Sequence, residues 1–258
     1  EDCKKRADEL HDKRLFTQPD GTHRGECPIC FLPMPVELQK STFMSCCGQT
    51  SCKGCIYANY KSNGYDEMKA RSCPFCREPP GSGHEETHKR TMKRVKANDP
   101  VALSAMGRTY IEGGNCKAAF DYLIRAAELG ELHAHYLLGY MYHEGEGVEQ
   151  DMDKAVYHLE KAAIGGHPHA RNNLGCYEEE NGNMERAVKH YIIAASLGFE
   201  MSMKKLWSHY SAGNITKEDL DATLRAHKAA IDETKSPQRD VAEAAYRRLK
   251  PELRQNKW

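Results

Sequence analysis

The sequence has no net charge and no long apolar run, and both absences narrow the possible functions. Its 258 residues include 37 Lys and Arg against 37 Asp and Glu, which gives a formal net charge of +0. Without an overall positive field, there is no general reason to expect nucleic-acid binding. The mean hydropathy is -0.75, and no apolar stretch approaches the roughly 20 residues of a membrane-spanning helix. The composition therefore predicts neither a nucleic-acid partner nor a membrane span.

Signs of secretion are also missing. The cysteine count, 11, is odd, and no signal peptide is recognisable, although a chain that begins at Glu1 gives this second absence little weight. A disulfide framework of the kind found in small secreted domains is therefore disfavoured. Cysteines outside the main cluster, Cys3, Cys116 and Cys176, indicate a reducing compartment, so we expect a cytoplasmic or nuclear protein.

Cysteine is the residue that the chain has in unusual local abundance. Eight cysteines form four close pairs, Cys27/Cys30, Cys46/Cys47, Cys52/Cys55 and Cys73/Cys76. Eight thiolates supply two tetrahedral zinc sites with no ligand left over. A thioredoxin-like redox pair would need a strand-to-helix context that is missing, and an iron–sulfur cluster suits alternating pairs less well than zinc. The pairs therefore predict two Zn²⁺ ions.

The order of the pairs is the more specific signal, because the first and third could share one ion and the second and fourth the other. This interleaving resembles the cross-brace of RING domains, over roughly residues 26–80. The turns that resemble the first and last RING turns are Cys27-Pro28-Ile29-Cys30 and Cys73-Pro74-Phe75-Cys76-Arg77. A RING domain usually has histidine after a Cys-x spacing, whereas here Cys47 directly follows Cys46. If Cys46 does not bind metal, Ser45, another side chain or a water would complete the second site.

The resemblance to RING domains implies a surface for a ubiquitin-conjugating enzyme. It implies that Ile29 and Pro74 contact that enzyme and that Arg77 bridges it to ubiquitin, since a guanidinium can bond two acceptors in a fixed fork. Each residue also has a simpler interpretation: Ile29 could fill the small core, Pro74 could shape its turn, and Arg77 could be an ordinary surface charge. Asn59 stands where many RING domains have tryptophan, which is a departure from the pattern.

The second half of the chain is self-similar. One marker recurs at steps of 32, 36 and 32 residues, as Met106-Gly107, Leu138-Gly139, Leu174-Gly175 and Leu206-Trp207. A pair of alanines follows each of the first three markers, and a glycine lies three residues after each pair, at Gly130, Gly166 and Gly198. Fixed periods of this length are typical of stacked helix pairs, in which alanine permits close approach and glycine ends the helix.

These markers resemble the Sel-one-like repeats, which are related to tetratricopeptide repeats. Residues 134–166 match best, and the unit around Trp207 is interpreted as a degenerate terminal repeat. The resemblance implies a concave surface for another protein or a peptide. The histidine pairs His133/His135 and His167/His169 invite a metal site, but their recurrence favours a structural role in the repeat.

We therefore predict a small zinc-stapled α+β RING cross-brace domain followed by an all-α solenoid of stacked helix pairs. The expected segments begin with a charged helical flank that packs beside the zinc domain (residues 1–25), followed by the zinc domain itself (26–80) and a basic linker or helix (81–98). About four repeats (99–235) come next, and a charged helix that Pro251 breaks or kinks (236–258) ends the chain. The basic run from Lys89 to Lys96 is interpreted as a solvated helix face, since no aromatic residue interleaves it.

The combined modules predict a RING-type ubiquitin ligase. The zinc domain would bind a ubiquitin-conjugating enzyme carrying ubiquitin, the repeats would hold a protein target, and no residue of the chain would act as a nucleophile. The alternative is a non-enzymatic adaptor in which the zinc domain is structural and the repeats bind proteins.

Overall fold

The structure is a computed structural model that describes residues 2–64, 72–79, 81 and 83–255. The helices are α1 (Asp2–Leu15), α2 (Lys53–Ser62), α3 (His84–Lys96), α4 (Pro100–Glu112), α5 (Cys116–Glu128), α6 (Leu132–Glu144), α7 (Met152–Ile164), α8 (Pro168–Glu180), α9 (Met184–Ser196), α10 (Glu200–Ser211), α11 (Lys217–Glu233) and α12 (Pro237–Gln255). A 3₁₀ turn (Leu38–Lys40) precedes the strands β1 (Ser41–Phe43) and β2 (Thr50–Cys52). Among the described residues, no helix is both long and apolar enough to cross a bilayer.

The chain divides into two units, and each combines segments that are distant in sequence. The repeat unit contains Glu1–His23 and Asn98–Ala230, and the cysteine unit contains Arg24–Ala97 and Ile231–Trp258. The expected zinc segment, 26–80, therefore forms only part of its unit. Residues 65–71 and 80 of that segment, residue 82 of the expected linker, and residues 256–258 of the last expected helix lie outside the described residues.

The repeat unit is a solenoid of helix pairs, as the periodicity predicts. Helices α4 to α9 each contain 13 residues, and most begin at a side-chain cap, as where Asp99 accepts hydrogen bonds from the backbone N–H groups of Val101 and Ala102 at 3.0 and 3.2 Å. At the ends of the pairs, Gly130 and Gly166 have φ of 83° and 84°, which is the left-handed conformation that favours glycine. The fold of this half of the prediction is confirmed.

The marker glycines pack the two helices of each pair against one another. A Cβ added to Gly139 would lie 2.7 Å from Cγ of Leu159, and one added to Gly175 would lie 2.5 Å from Cε1 of Tyr191. The last unit lacks this glycine: Leu206 is buried there, whereas Trp207 is 49% exposed. Its second helix, α11, is also longer, at 17 residues. Both differences agree with a divergent terminal repeat.

Helix α1 packs on the repeats, so the expectation that it lies beside the zinc domain is wrong. Leu15 is buried in a cluster that includes Leu159, Ala170 and Leu174. The guanidinium of Arg171 donates to the carbonyl of Leu15, which satisfies a carbonyl at the end of the helix. The physical reason is that the short apolar stretch at the end of α1 finds a larger apolar surface on the repeats than on a cysteine-lined core.

The cysteine unit contains one small sheet and three helices in the described residues. Strands β1 and β2 are antiparallel, with Ser41 opposite Cys52 and Phe43 opposite Thr50. The expected linker helix is α3, which belongs to this unit, and so does α12. Helix α12 continues past Pro251 to Gln255, so the break expected at this proline is not observed.

Candidate metal centre

Two short turns begin and end the cysteine-rich segment, and they have the same geometry. The N–H of Phe31 donates to the carbonyl of Cys27 at 2.8 Å, and the N–H of Arg77 donates to the carbonyl of Cys73 at 2.9 Å. Phe31 and Arg77 have φ of 57° and 58°, an unusual left-handed conformation for residues with a side chain. Each turn brings the two sulfurs of a Cys-Pro-x-Cys sequence to one side of the chain.

The third cysteine pair lies where β2 passes into α2. Cys52 ends the strand and caps the helix, because its sulfur accepts from the N–H of Cys55 at 3.5 Å. The N–H of Cys52 in turn donates to the sulfur of Cys27 at 3.5 Å. Such N–H···S contacts stabilise sulfur as thiolate, which is the form that binds metal.

The eight cysteines come together as two groups of four. The first group, hereafter the first site, is Cys27, Cys30, Cys52 and Cys55; the second site is Cys46, Cys47, Cys73 and Cys76; within each, all ligand atoms lie within 4.8 Å of one another. The Cys27–Cys55 and Cys30–Cys52 sulfurs are 3.9 Å apart, and the Cys47–Cys73 sulfurs are 3.6 Å apart. Four sulfurs about 2.3 Å from one zinc ion would be about 3.8 Å apart. The interleaved order matches the predicted cross-brace.

The adjacent pair Cys46 and Cys47 occupies a tight turn before β2. The N–H groups of Cys47 and Gly48 donate to the carbonyl of Met44 at 3.2 and 2.7 Å, and Gly48 has φ of 76°. Both sulfurs of the pair belong to the second site. The second site therefore offers four cysteine sulfurs as possible metal ligands, so that Ser45, another side chain or a water would not be needed to complete it.

The protonation of the cysteines differs within each site. Burial raises the pKa of Cys27, but hydrogen bonds from the N–H groups of Cys52, Cys30 and Ile29 outweigh burial and lower the pKa to about 7. Burial also acts to raise the pKa of Cys73, but hydrogen bonds from the backbone N–H groups of Cys76 and Phe75 outweigh it, so the pKa is lowered. Burial and neighbouring sulfurs raise the pKa of Cys55. A metal ion would bind first where thiolate is available and would release protons from the other thiols.

The residues expected at a partner surface are placed as follows. Ile29 is 37% exposed, Arg77 is exposed and Pro74 is half-buried. Asn59, which stands where many RING domains have tryptophan, donates from its side chain to the carbonyl of Ser72 at 3.2 Å. The simple core interpretation of Ile29 is not supported, because a core residue would be buried.

The histidines of the repeat unit also approach one another. Nδ1 of His133 lies 3.1 Å from Nε2 of His167, and His23 completes a third group of possible ligands. The N–H of Ala170 donates to Nδ1 of His167 at 3.3 Å. Because a neutral imidazole has one acceptor nitrogen, this contact leaves Nε2 of His167 as a donor rather than a metal ligand. We retain the structural interpretation of these histidines.

The expected recurrence of the histidine pairs is wrong by two residues. The helices that follow Glu131 and His167 begin at Leu132 and Pro168. His133 therefore corresponds to His169, and His167 corresponds to the helix cap Glu131, whose carboxylate also accepts from a backbone N–H. The shift can be read from the sequence, because the markers Leu138 and Leu174 are 36 residues apart, whereas His133 and His167 are 34 residues apart.

One residue near the first site was missed by sequence reasoning. Arg239, on α12, donates from Nη2 to the sulfur of Cys30 at 3.4 Å. The two residues are separated by 209 positions, and no spacing pattern connects them.

Comparison with known proteins identifies the repeats. The Sel1 repeat family model matches residues 100–131, 132–167 and 168–199, and its boundaries coincide with the starts of α4, α6 and α8. No zinc-finger family model matches the cysteine-rich segment, and no curated protein matches the chain.

One solved structure supports the same fold. A Sel1 repeat protein from Oxalobacter formigenes is 23% identical with a TM-score of 0.51, over 69% of this chain and 71% of that one. A protective antigen of uropathogenic Escherichia coli strains, displaying an SLR fold, is 30% identical with a TM-score of 0.48, over 57% of this chain and 33% of that one. It is the family model that identifies residues 100–199 as three Sel1 repeats.

Proposed function

We propose that this protein is a zinc-stabilised adaptor whose Sel1 repeats bind a protein partner. The observation that carries the proposal is the completeness of the two cysteine sites, since each offers four sulfurs. A zinc ion with four thiolate ligands has no open position for water or substrate, so its contribution is to folding rather than to catalysis. The function then depends on the surfaces that the two units present.

The repeat unit offers a groove suited to a partner segment. The groove has a volume of about 240 Å³, lies between α6, α7 and α8, and is lined by residues that include Tyr140, Glu144, Tyr177 and Glu180. Tyrosine is favoured at protein interfaces because it provides a large rigid surface with one polar end. The two carboxylates give the groove an acidic character that suits a segment containing Lys or Arg.

Metal content is the first test of the adaptor proposal. Native mass spectrometry of the folded protein should detect two zinc ions, and Cys27→Ser should retain one. A chelator should unfold the cysteine unit, while the helical signal of the repeats should largely persist, because only the cysteine unit depends on metal. A protein that folds fully without metal would contradict the proposal.

The second candidate function is a RING-type ubiquitin ligase, and the exposure of Ile29 and Arg77 favours it. Here the zinc domain would bind a ubiquitin-conjugating enzyme with its ubiquitin, and the repeats would bring the target. The cytoplasm or nucleus, where thiols stay reduced, would suit either function. We propose the adaptor first because the repeats alone account for protein binding.

A ubiquitination assay separates the two functions. The wild type would be incubated with a panel of conjugating enzymes beside Cys27→Ser, Arg77→Ala and the control Arg248→Ala, which alters an exposed arginine of α12. The ligase would be established if Cys27→Ser gave no ubiquitin ladders, Arg77→Ala gave weaker ladders than the wild type, and the control Arg248→Ala gave the same ladders as the wild type. No ladder from protein that contains two zinc ions would leave the adaptor function.

A further inference from the structure

The first turn of α12 is hydrogen-bonded to Cys30 and to the loop that follows it. Nη1 of Arg239 donates to the carbonyl oxygen of Pro33 at 2.7 Å, and Nη2 donates to that of Leu32 at 3.3 Å. The same Nη2 donates to the sulfur of Cys30 at 3.4 Å. One half-buried guanidinium therefore bonds a ligand of the first site and the backbone beside it.

The helix is built to hold Arg239 in this position. The hydroxyl of Ser236 accepts from the N–H of Arg239 at 3.2 Å and so caps the helix. Nη1 of Arg239 also donates to the carbonyl of Thr234 at 2.7 Å. These bonds limit the freedom of a side chain that otherwise loses much rotamer entropy when it is ordered.

The cysteine segment permits close packing of α12, because it has a glycine at the point of contact. Gly54 lies between Cys52 and Cys55, and a Cβ added to it would be 3.0 Å from both Cα and N of Arg239. Further along, the rings of Tyr57 and Tyr246 meet edge to face with centroids 6.2 Å apart. The contact between α2 and α12 is thus close at the backbone as well as at the side chains.

The chemistry of a zinc–thiolate centre explains why an arginine belongs there. A zinc ion with four thiolates carries a net charge of about −2, which is costly in a partly buried site. A guanidinium is positively charged at every accessible pH and donates hydrogen bonds in a fixed fork. Charge-assisted N–H···S bonds would offset the negative charge and hold the thiolate in place.

We propose that Arg239 stabilises metal at the first site by donating a hydrogen bond to the zinc-bound Cys30 thiolate, which makes α12 a required part of that site. The proposal rests on zinc binding as proposed above. Of the two cysteine groups, the contacts of Arg239 described above reach only the first site, so the second site, which includes the exposed Cys76, serves as an internal reference.

The test is the rate of zinc loss from the intact, zinc-loaded chain. Release to a chromogenic chelator would be followed for the wild type, Arg239→Met and the control Arg248→Met, after each is shown to hold two zinc ions. We expect one release phase of Arg239→Met to accelerate by about tenfold or more, in line with the usual effect of removing a hydrogen bond to a metal ligand. The other phase and the control should keep the wild-type rates.

Two further variants keep the test decisive. Gly54→Ala retains Arg239 and all eight cysteines but forces α12 away from α2, so the same phase should accelerate even if Arg239→Met folds poorly. Cys76→Ser removes a ligand of the second site and identifies the phase that belongs to the first. In cobalt-loaded protein, the sulfur-to-metal charge-transfer band of Arg239→Met should shift, because a hydrogen bond to sulfur alters this transition and a remote packing change does not.

The possible outcomes distinguish a failure of the proposed role of Arg239 from a failure of the proposed zinc function. Unchanged release from Arg239→Met that contains two zinc ions would overturn the role of Arg239, and equal acceleration of both phases would overturn its specificity for the first site. Wild-type protein without two zinc ions would instead refute the proposed zinc function.

Discussion

The stability of the repeat unit should fall in mild acid because a histidine is buried without a hydrogen bond. His190 is fully buried on α9, with its ring 4.8 Å from that of Phe16. Neither ring nitrogen of His190 has a hydrogen-bond partner among the described residues. Burial, together with the charges of Arg171 and Arg186, lowers its pKa to about 3.

The sign and size of the effect follow from this lowered pKa. Between pH 6.5 and 3 the unfolded chain binds a proton at His190 that the folded chain does not, so unfolding is favoured as the pH falls. Each pH unit in this window is worth about 1.4 kcal/mol. Between pH 7 and pH 5, His190 alone should lower the free energy of unfolding by about 2 kcal/mol.

The assay compares urea unfolding at pH 7 and pH 5, followed by circular dichroism at 222 nm, where the repeat helices dominate the signal. His190→Met keeps the apolar volume of the site and removes the titrating group, so its loss between the two pH values should be about 2 kcal/mol smaller than that of the wild type. Met should also raise stability at pH 7, because buried nitrogens without partners cost about 1–3 kcal/mol.

The control and the refutation use the same measurement. His143→Gln replaces an exposed histidine and should retain the full wild-type pH dependence. His158, whose pKa burial and His135 lower to about 4, contributes equally to all three proteins and cancels in the comparison. If His190→Met loses as much stability as the wild type between pH 7 and pH 5, the reasoning from burial is wrong.

Two further predictions concern packing in the repeat unit. Leu15→Ala should lower the free energy of unfolding by about 2–5 kcal/mol, because Leu15 is 1% exposed. The matched control Leu10→Ala, at 61% exposed, should change it by less than about 0.5 kcal/mol, and equal effects in urea unfolding would show that α1 does not pack as described. Gly139→Ala should cost about 1–3 kcal/mol in the same assay, since the added Cβ would meet Leu159 at 2.7 Å, and an unchanged stability would contradict that contact.

The features predicted most clearly from the sequence were those that depend on the spacing of repeated residues and of cysteine pairs. The repeat period could be predicted because the helix pairs need the same small residues at the same places, such as Gly139 against Leu159. The order of the cysteine pairs likewise indicated which sulfurs would meet, because a Cys-x-x-Cys turn acts as one unit. The repeat register of the histidines was predicted wrongly, because His167 occupies the helix-capping position that Glu131 occupies in the preceding repeat.

Contacts between distant segments could not be predicted from spacing. The bond from Arg171 to Leu15 joins residues 156 positions apart, and neither residue belongs to a repeated pattern. Arg239 and Gly54 are equally unremarkable in the sequence, since a single arginine or glycine has many possible roles. Their roles depend on which surface each terminal helix covers, and that surface exists only in the folded chain.

The terminal helices make each unit discontinuous, and this limits where the chain can be divided. Helix α1 belongs to the repeat unit although the cysteine segment follows it, and α12 belongs to the cysteine unit although it follows the repeats. A fragment of residues 24–97 would hold all eight cysteines of the two sites but lack Arg239. A fragment of residues 98–230 would hold the Sel1 repeats but lack Leu15, leaving its buried apolar partners open to water. Binding experiments that divide the chain between the sequence modules would therefore measure two incomplete units, whereas point substitutions in the full chain test each surface with its own supporting helix in place.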